Sequence, residues 1–418
     1  MQPITAILFG AGNRGTVYGN YAAKHPEEIC FVAVAEPDPE RRAAFAAAHG
    51  LPGEKCFAHW EEVLAAGKLA DCAFVCTQDH DHFRPAMQAL EQGYHLVLEK
   101  PIACTAKECD AIYQKSIAVK RKVCVCHVLR HTLFYHKVKQ VLKSGVLGRV
   151  TDMLLRENVG HLHISHSYVR GNWRRAEDSN PMLLAKCCHD LDLLLWFADA
   201  ECKSVSSFGD QTYFNAANAP AGAPERCLEG CPHAHDCAFY APRVYTPDNW
   251  MTRIMTMDTS KENILRTLQT SPYGRCVFHC DNTVVDHQSV QMQFADGMNA
   301  TLIMSGFTPK TDREIYILGT NGELRGYFGE EVQYITVTDY LRGISTRYDI
   351  PAYSGDDDSH GGGDTGLMQD FVRLLREPEG VNDSDIAVSI KSHLLGYAAE
   401  QARQQGTVVD FAAFCSKL

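Results

Sequence analysis

A chain of 418 residues exceeds one ordinary core, and 45% hydrophobic with 22% charged residues supplies two folded units without a disordered tract. A net charge of -11 offers no clustered cationic surface for a nucleic-acid backbone or an anionic membrane, so neither is expected as a partner and small molecules are favoured. No apolar run approaches a membrane span and no basic leader precedes ITAILFG, so the seventeen cysteines read as reduced thiols in the cytoplasm.

From residue 4 to about 128, the apolar runs ITAILFG, CFVAVAE, DCAFVCT, HLVLEK and KVCVCHV are of strand type. Between them lie the helix-like segments GTVYGNYAAKHP, ERRAAFAAAHG, FRPAMQALEQG and AKECDAIYQKSIAVK. Such alternation predicts an α/β fold with a doubly wound parallel sheet of Rossmann type over residues 1–128, whose ligands bind at the carboxyl ends of the strands. Beyond 129 the pattern changes. YHKVKQVLKSGVLG reads as a helix and SNPMLLAKCCHDLDLLLWFAD as another. HQSVQMQFADGMNATLIMSGF and REIYILGTNGELRGYFG carry hairpin turns and predict antiparallel sheet. Residues 129–418 are therefore expected to form an α+β substrate-binding unit, with an irregular insertion at 215–247, a second loop at 354–366, and helices at about 365–377 and 384–405.

The run GAGNRG, with Gly10, Gly12 and Gly15 around Asn13 and Arg14, follows a strand and opens a helix. The first glycine suits a tight turn, the second close approach of a pyrophosphate, and the third packing of helix on sheet. Glu36 ends the second strand, where a carboxylate accepts hydrogen bonds from ribose hydroxyls and repels a 2'-phosphate. NAD is favoured over NADP, although Arg41 and Arg42 lie close by.

Glu99-Lys100-Pro101 after the fifth strand and HDLD at 189–192 complete a pattern with GAGNRG. Together they resemble the Gfo/Idh/MocA family of nucleotide-dependent oxidoreductases, over nearly the whole chain. The resemblance implies action on sugars or cyclitols, and a C-terminal sheet that assembles homodimers or homotetramers. CTQDHDH at 76–82 resembles the TPNxxH segment of that family and places Thr77, Gln78 and His82 near the cofactor.

Oxidising a secondary alcohol requires a hydride acceptor and a base for the hydroxyl proton. Lys100, kept extended by Pro101 at a strand end, is expected to hold that hydroxyl, with burial and a cationic nicotinamide lowering its pKa. His189 is expected to take the proton, because an imidazole titrates near neutrality; its competing reading is a histidine satisfied inside a helix. Where many relatives carry Asp-x-Gly-x-His, this chain has Ala185, Lys186, Cys187, Cys188 and His189. Lys186, His189 and Asp190 fall on one helical face, so Lys186 is expected to face substrate and alter the pocket charge. Arg130, Tyr168, Trp173, Asp190 and His360 are further candidate substrate contacts; Tyr168 and Trp173 fall in a histidine-rich run at 160–174 whose composition also suits a solvated loop.

Cys227, Cys231 and Cys237 in CLEGCPHAHDC are spaced for a structural zinc with no nameable fourth ligand; buried thiols are the alternative. Three functions follow. The first is an NAD-dependent dehydrogenase or reductase of a sugar or glycoside, at the 3-position for instance. The second is a glycoside hydrolase that oxidises, eliminates, hydrates and reduces with a retained NAD. The third is a dinucleotide-binding scaffold without turnover, against which Lys100 and His189 together argue.

Overall fold

The computed structural model describes residues 2–352, 360–377 and 384–418. The expected loop at 354–366 lies partly outside that set. Strands β1 (Ile4–Phe9), β2 (Ile29–Ala35), β3 (Cys56–Phe57), β4 (Cys72–Val75), β5 (His95–Leu98) and β6 (Val123–Val125) form a parallel sheet ordered β3-β2-β1-β4-β5-β6. The order reverses between β1 and β4, and that switch point opens a crevice at the strand ends. All four residues of β4 are buried, as continuous apolar runs require when helices cover both faces. The two-residue β3 and the helix Trp60–Ala65 escape a reading by pattern because neither is long enough to show a period.

The second sheet contains β7 (Val150–Asn158), β8 (Cys202–Asp210), β9 (His287–Phe294), β10 (Asn299–Ser305), β11 (Asp312–Gly319), β12 (Gly322–Phe328), β13 (Gln333–Asp339), β14 (Ile344–Ile350) and β15 (Val409–Asp410). Its order is β14-β13-β12-β11-β7-β10-β9-β8-β15. β7 and β10 run parallel, and the other pairings are antiparallel, including both anticipated hairpins. Along β10, Ala300, Leu302 and Met304 are buried while the intervening residues are not, so one face of the sheet meets a core and the other is open.

The end of the chain serves both sheets. Helix Gly363–Arg376 contributes Leu367, Met368, Phe371 and Val372 to a core shared with β1, β2 and β4. Helix Ile386–Gln405 gives Ile386, Ile390 and Leu394 to the other face of the parallel sheet, and Leu395, Ala398, Ala399 and Ala402 to the second core. One helix thus packs on both units and fixes the crevice between them. Among the described residues, no helix is long and apolar enough to cross a membrane.

Candidate active site

The glycine turn has three distinct surroundings. Gly10 sits at φ 92°, and a Cβ there would meet the Cys76 carbonyl oxygen at 2.5 Å. A Cβ at Gly15 would lie 2.1 Å from the Gly10 oxygen. A Cβ at Gly12 would meet nothing within 4 Å, so the space over that residue is open to a ligand. Gly12 caps helix Asn13–Lys24 without a side-chain hydrogen bond, leaving the amides at Asn13 and Arg14 to face phosphate charge. After β2, the buried Glu36 accepts from the Ala11 amide at 2.7 Å and the Asp38 amide at 3.0 Å. Those bonds hold its carboxylate beside the turn. The residues fit a dinucleotide.

Behind that turn, Glu99 accepts from Arg14 Nε at 2.7 Å and from the Tyr18 hydroxyl at 2.6 Å. Arg14 also binds Asp364, which pairs with His360 at 3.0 Å. Burial is the largest single influence and opposes both carboxylates, but the charge of Arg14, together with Lys100 and the Tyr18 hydrogen bond at Glu99 and with His360 at Asp364, holds both below the usual carboxylate range. Arg14 and Glu99 therefore buttress the strand ends through a buried network. Thr77 Oγ1 donates to the Asp81 carbonyl at 2.8 Å, and His82, 1% exposed, sets Nδ1 2.7 Å from the Pro101 carbonyl. These two expected cofactor contacts tie the turns after β4 and β5 together.

Lys100 extends from β5 across the crevice, and its Nζ donates to the Ala185 carbonyl at 3.1 Å. The long helix expected over the NPMLLAKCCHD run is in fact two, Met182–Ala185 and Cys188–Ala198. In a continuous helix the Ala185 carbonyl would accept from the His189 amide; here an ammonium takes it. His189 opens the second helix, 5% exposed, with its ring 5.7 Å from His127 and 6.1 Å from His360. Burial, then the charge of Lys100, hold His189 well below the usual imidazole range. This departs from the expectation of titration near neutrality, since burial beside Lys100 favours the neutral imidazole.

The break also removes Lys186 from the face that was to carry His189 and Asp190. Lys186 instead pairs with the fully buried Glu157 at 3.3 Å. Arg313 joins Glu157 at 2.7 Å to Asp190, which it binds through Nε at 2.7 Å. Asp190, 0% exposed, is therefore enclosed by protein and its expected substrate contact is not formed. Burial and Glu157 push its carboxyl upward. Arg130 is likewise turned inward, 2% exposed and bidentate on Asp192 at 2.5 and 2.7 Å. Paired charges of this kind are the usual condition for burying a guanidinium.

Residues 4–128 match the family model described as an oxidoreductase family with an NAD-binding Rossmann fold, and residues 135–325 match the GFO/IDH/MocA C-terminal domain. The chain belongs to the Gfo/Idh/MocA oxidoreductase family. It is 21% identical over 333 residues to the Bacillus subtilis protein YteT, covering 76% of this chain and 75% of that one. Of seven further curated relatives it spans 34% to 59% of the length. Its fold matches an Agrobacterium radiobacter oxidoreductase solved with NAD+, L-tartaric acid and magnesium, at TM-score 0.72, 17% identity and 99% coverage of both chains. It also matches a levoglucosan dehydrogenase solved with NADH and L-sorbose, at TM-score 0.71 and 17% identity, covering 98% of this chain and 99% of that one.

In this Gfo/Idh/MocA chain the histidine-rich run is a buried helix, not a solvated loop. Helix His161–Ile164 continues into a π-helical stretch, Ser165–Arg170, whose six residues are all buried. Such stretches recur at functional sites. Tyr168 lies 6.0 Å from the His163 ring and 6.2 Å from Trp173, whose indole donates to Asp79 at 3.0 Å. Burial holds His163 well below its usual range and Tyr168 well above. His166 stacks on Tyr273 at 4.7 Å and is remote in role from the crevice.

Cys227, Cys231 and Cys237 line one small cavity with Cys276 and Arg170. Among the described residues, no three His, Cys, Asp or Glu side chains are arranged to hold a metal ion, so the expected zinc ligand set is not formed. Burial pushes the Cys237 and Cys276 thiols up. Sequence reasoning missed His127, Glu157, Arg313 and His393. His127 alone carried a signal, because it directly follows β6 at the carboxyl end of the sheet.

Proposed function

We propose that this protein is an NAD-dependent oxidoreductase acting on a secondary hydroxyl of a sugar or glycoside, the 3-position included. Lys100 orients the hydroxyl and His189 accepts its proton. One observation supports this reading above others: Lys100 from β5 and His189 from helix Cys188–Ala198 meet at the crevice, with the lysine on the carbonyl one turn before the histidine. NAD bound over Gly12 supplies the hydride acceptor. The ammonium polarises the hydroxyl, and the neutral imidazole receives the proton as the carbonyl forms. Glu36 supports NAD over NADP, and Arg42 does not counter it, being engaged on the Glu36 and Pro37 carbonyls. Trp173 and Tyr168 offer ring faces to a pyranose. The open face of the nine-stranded sheet suits a homodimer or homotetramer, and seventeen free thiols suit a reducing cytoplasm. The test is absorbance of reduced nicotinamide with NAD and a panel of sugars and glycosides. Accumulating NADH supports the reading; no reduction by any substrate and no sugar release removes it.

A second reading is glycoside hydrolysis with a retained NAD. The observation favouring it is the pair His163 and Tyr168, whose rings lie 6.0 Å apart and which offer a further base and acid for elimination and hydration. Aglycone release without net NADH formation would select it.

A further inference from the structure

Three imidazoles stand in a row inside the protein. His189 is 5.7 Å from His127, and His127 is 5.2 Å from His393, ring centre to ring centre. His127 is 1% exposed and His393 0%. The His189 Nδ1, His127 Nδ1 and His393 Nε2 atoms are buried, with no hydrogen-bond partner among the described residues. An apolar core would avoid that desolvation, which is a cost for each such group.

The surroundings define where the protons sit. His393 Nδ1 is 3.1 Å from the Ser389 carbonyl, which can only accept, so the hydrogen is on Nδ1 and Nε2 is bare. The Ser392 hydroxyl donates to the Ser389 carbonyl at 2.8 Å, so its oxygen accepts from His127 Nε2 at 3.5 Å. Asp192, with Oδ1 3.8 Å from the same nitrogen, also favours a hydrogen there. His127 Nδ1 is consequently a bare acceptor. With its own Nδ1 buried, His189 has Nε2 left for the crevice.

We infer that His127 is a positioning residue for His189, holding the hydrogen of His189 on Nδ1 and receiving it when Nε2 takes the substrate proton. This rests on His189 as the proton acceptor of the proposed function. The substrate O–H bond breaks, its electron pair stays on oxygen to form the carbonyl, and the proton joins His189 Nε2. Neither nitrogen has a direct hydrogen-bond partner among the described residues, so the transfer runs through a bridging water: the N–H bond at His189 Nδ1 breaks and one forms at His127 Nδ1. Return of that hydrogen to His189 Nδ1, with release of the substrate-derived proton from Nε2 to solvent through the crevice, restores the ground state.

Charged and titratable neighbours are consistent with an empty relay at neutral pH. His127 faces Arg130, Lys100, Glu99, His131 and Asp192; His189 faces Lys100, His360 and Arg313. Burial, then these cations, hold both rings well below the usual imidazole range. Neither carries an excess proton before the substrate gives one up.

The test uses full-length protein labelled with [15N]histidine, without substrate, followed by imidazole 1H–15N spectra between about pH 5 and 8. The wild type is expected to show His189 as the Nδ1–H tautomer. His127→Phe is expected to move that hydrogen to Nε2, and His127→Asn, which restores an acceptor, to return it to Nδ1. A folded His127→Phe protein with an unchanged His189 tautomer overturns the inference. Should that variant not fold, the wild type decides alone, because an Nε2–H tautomer of His189 at neutral pH is incompatible with the relay. These spectra need no turnover, so they fail independently of the NADH assay that tests the function itself.

Discussion

Lys100 Nζ lies 3.1 Å from the Ala185 carbonyl oxygen, the acceptor that an unbroken helix would offer to the His189 amide. This contact divides the segment into helices Met182–Ala185 and Cys188–Ala198, and it brings a cation to the first turn of the helix that carries His189.

Lys100→Met and His189→Ala are each expected to lower the rate of NAD reduction by about 10²–10⁴-fold, the range for losing a positioned proton-transfer group. Steady-state kinetics on the best substrate of the panel check this, with circular dichroism to confirm folding. Rates near wild type in both variants would remove the site.

The glycine turn separates binding from folding. Gly12→Val is expected to unfold near the wild-type temperature yet lose NAD, because a Cβ there touches only the space a cofactor would fill. Gly15→Ala places a methyl 2.1 Å from the Gly10 oxygen and is expected to destabilise by about 1–3 kcal/mol. Calorimetric NAD binding and thermal melts read the two effects. Equal stability losses in both variants would contradict the assignment.

Glu36→Gln keeps a hydrogen-bonding side chain beside Ala11 but removes the charge. NAD affinity is expected to fall and NADP affinity to rise, moving their ratio by roughly tenfold, the equivalent of 1.4 kcal/mol. Titration of both cofactors measures that ratio, and an unaltered preference would detach Glu36 from the ribose.

Acid should loosen the buried network around Arg14. Asp364 and Glu99 both have folded pKa values held below their unfolded ones, so their stabilisation is full above about pH 5, starts to fall at about pH 4 and is lost progressively as pH drops further through the lower folded values. Asp364→Asn removes part of that dependence. Urea midpoints at neutral pH and at about pH 3 should therefore differ less in the variant than in the wild type; identical pH slopes would refute the contribution.

The local pattern in the sequence determined most of the scaffold. Strand-length apolar runs with helical segments between them require a covered parallel sheet, and GAGNRG and Glu36 take their places from chain distance alone. The hairpins at ADG and TNG were readable for the same reason, since turn chemistry and period-2 alternation are properties of neighbours. What pairs with what across the fold was not local. Asp190 and Arg130 look like substrate contacts in one dimension; Arg313 on β11 and Asp192 in helix Cys188–Ala198 claim them, because a buried charge must find its counter-charge wherever the chain places one. The helix break before His189 depends on a lysine from another domain. The row of His189, His127 and His393 draws on three separate elements, with ring spacings that only the packing of helix Ile386–Gln405 against both sheets could set.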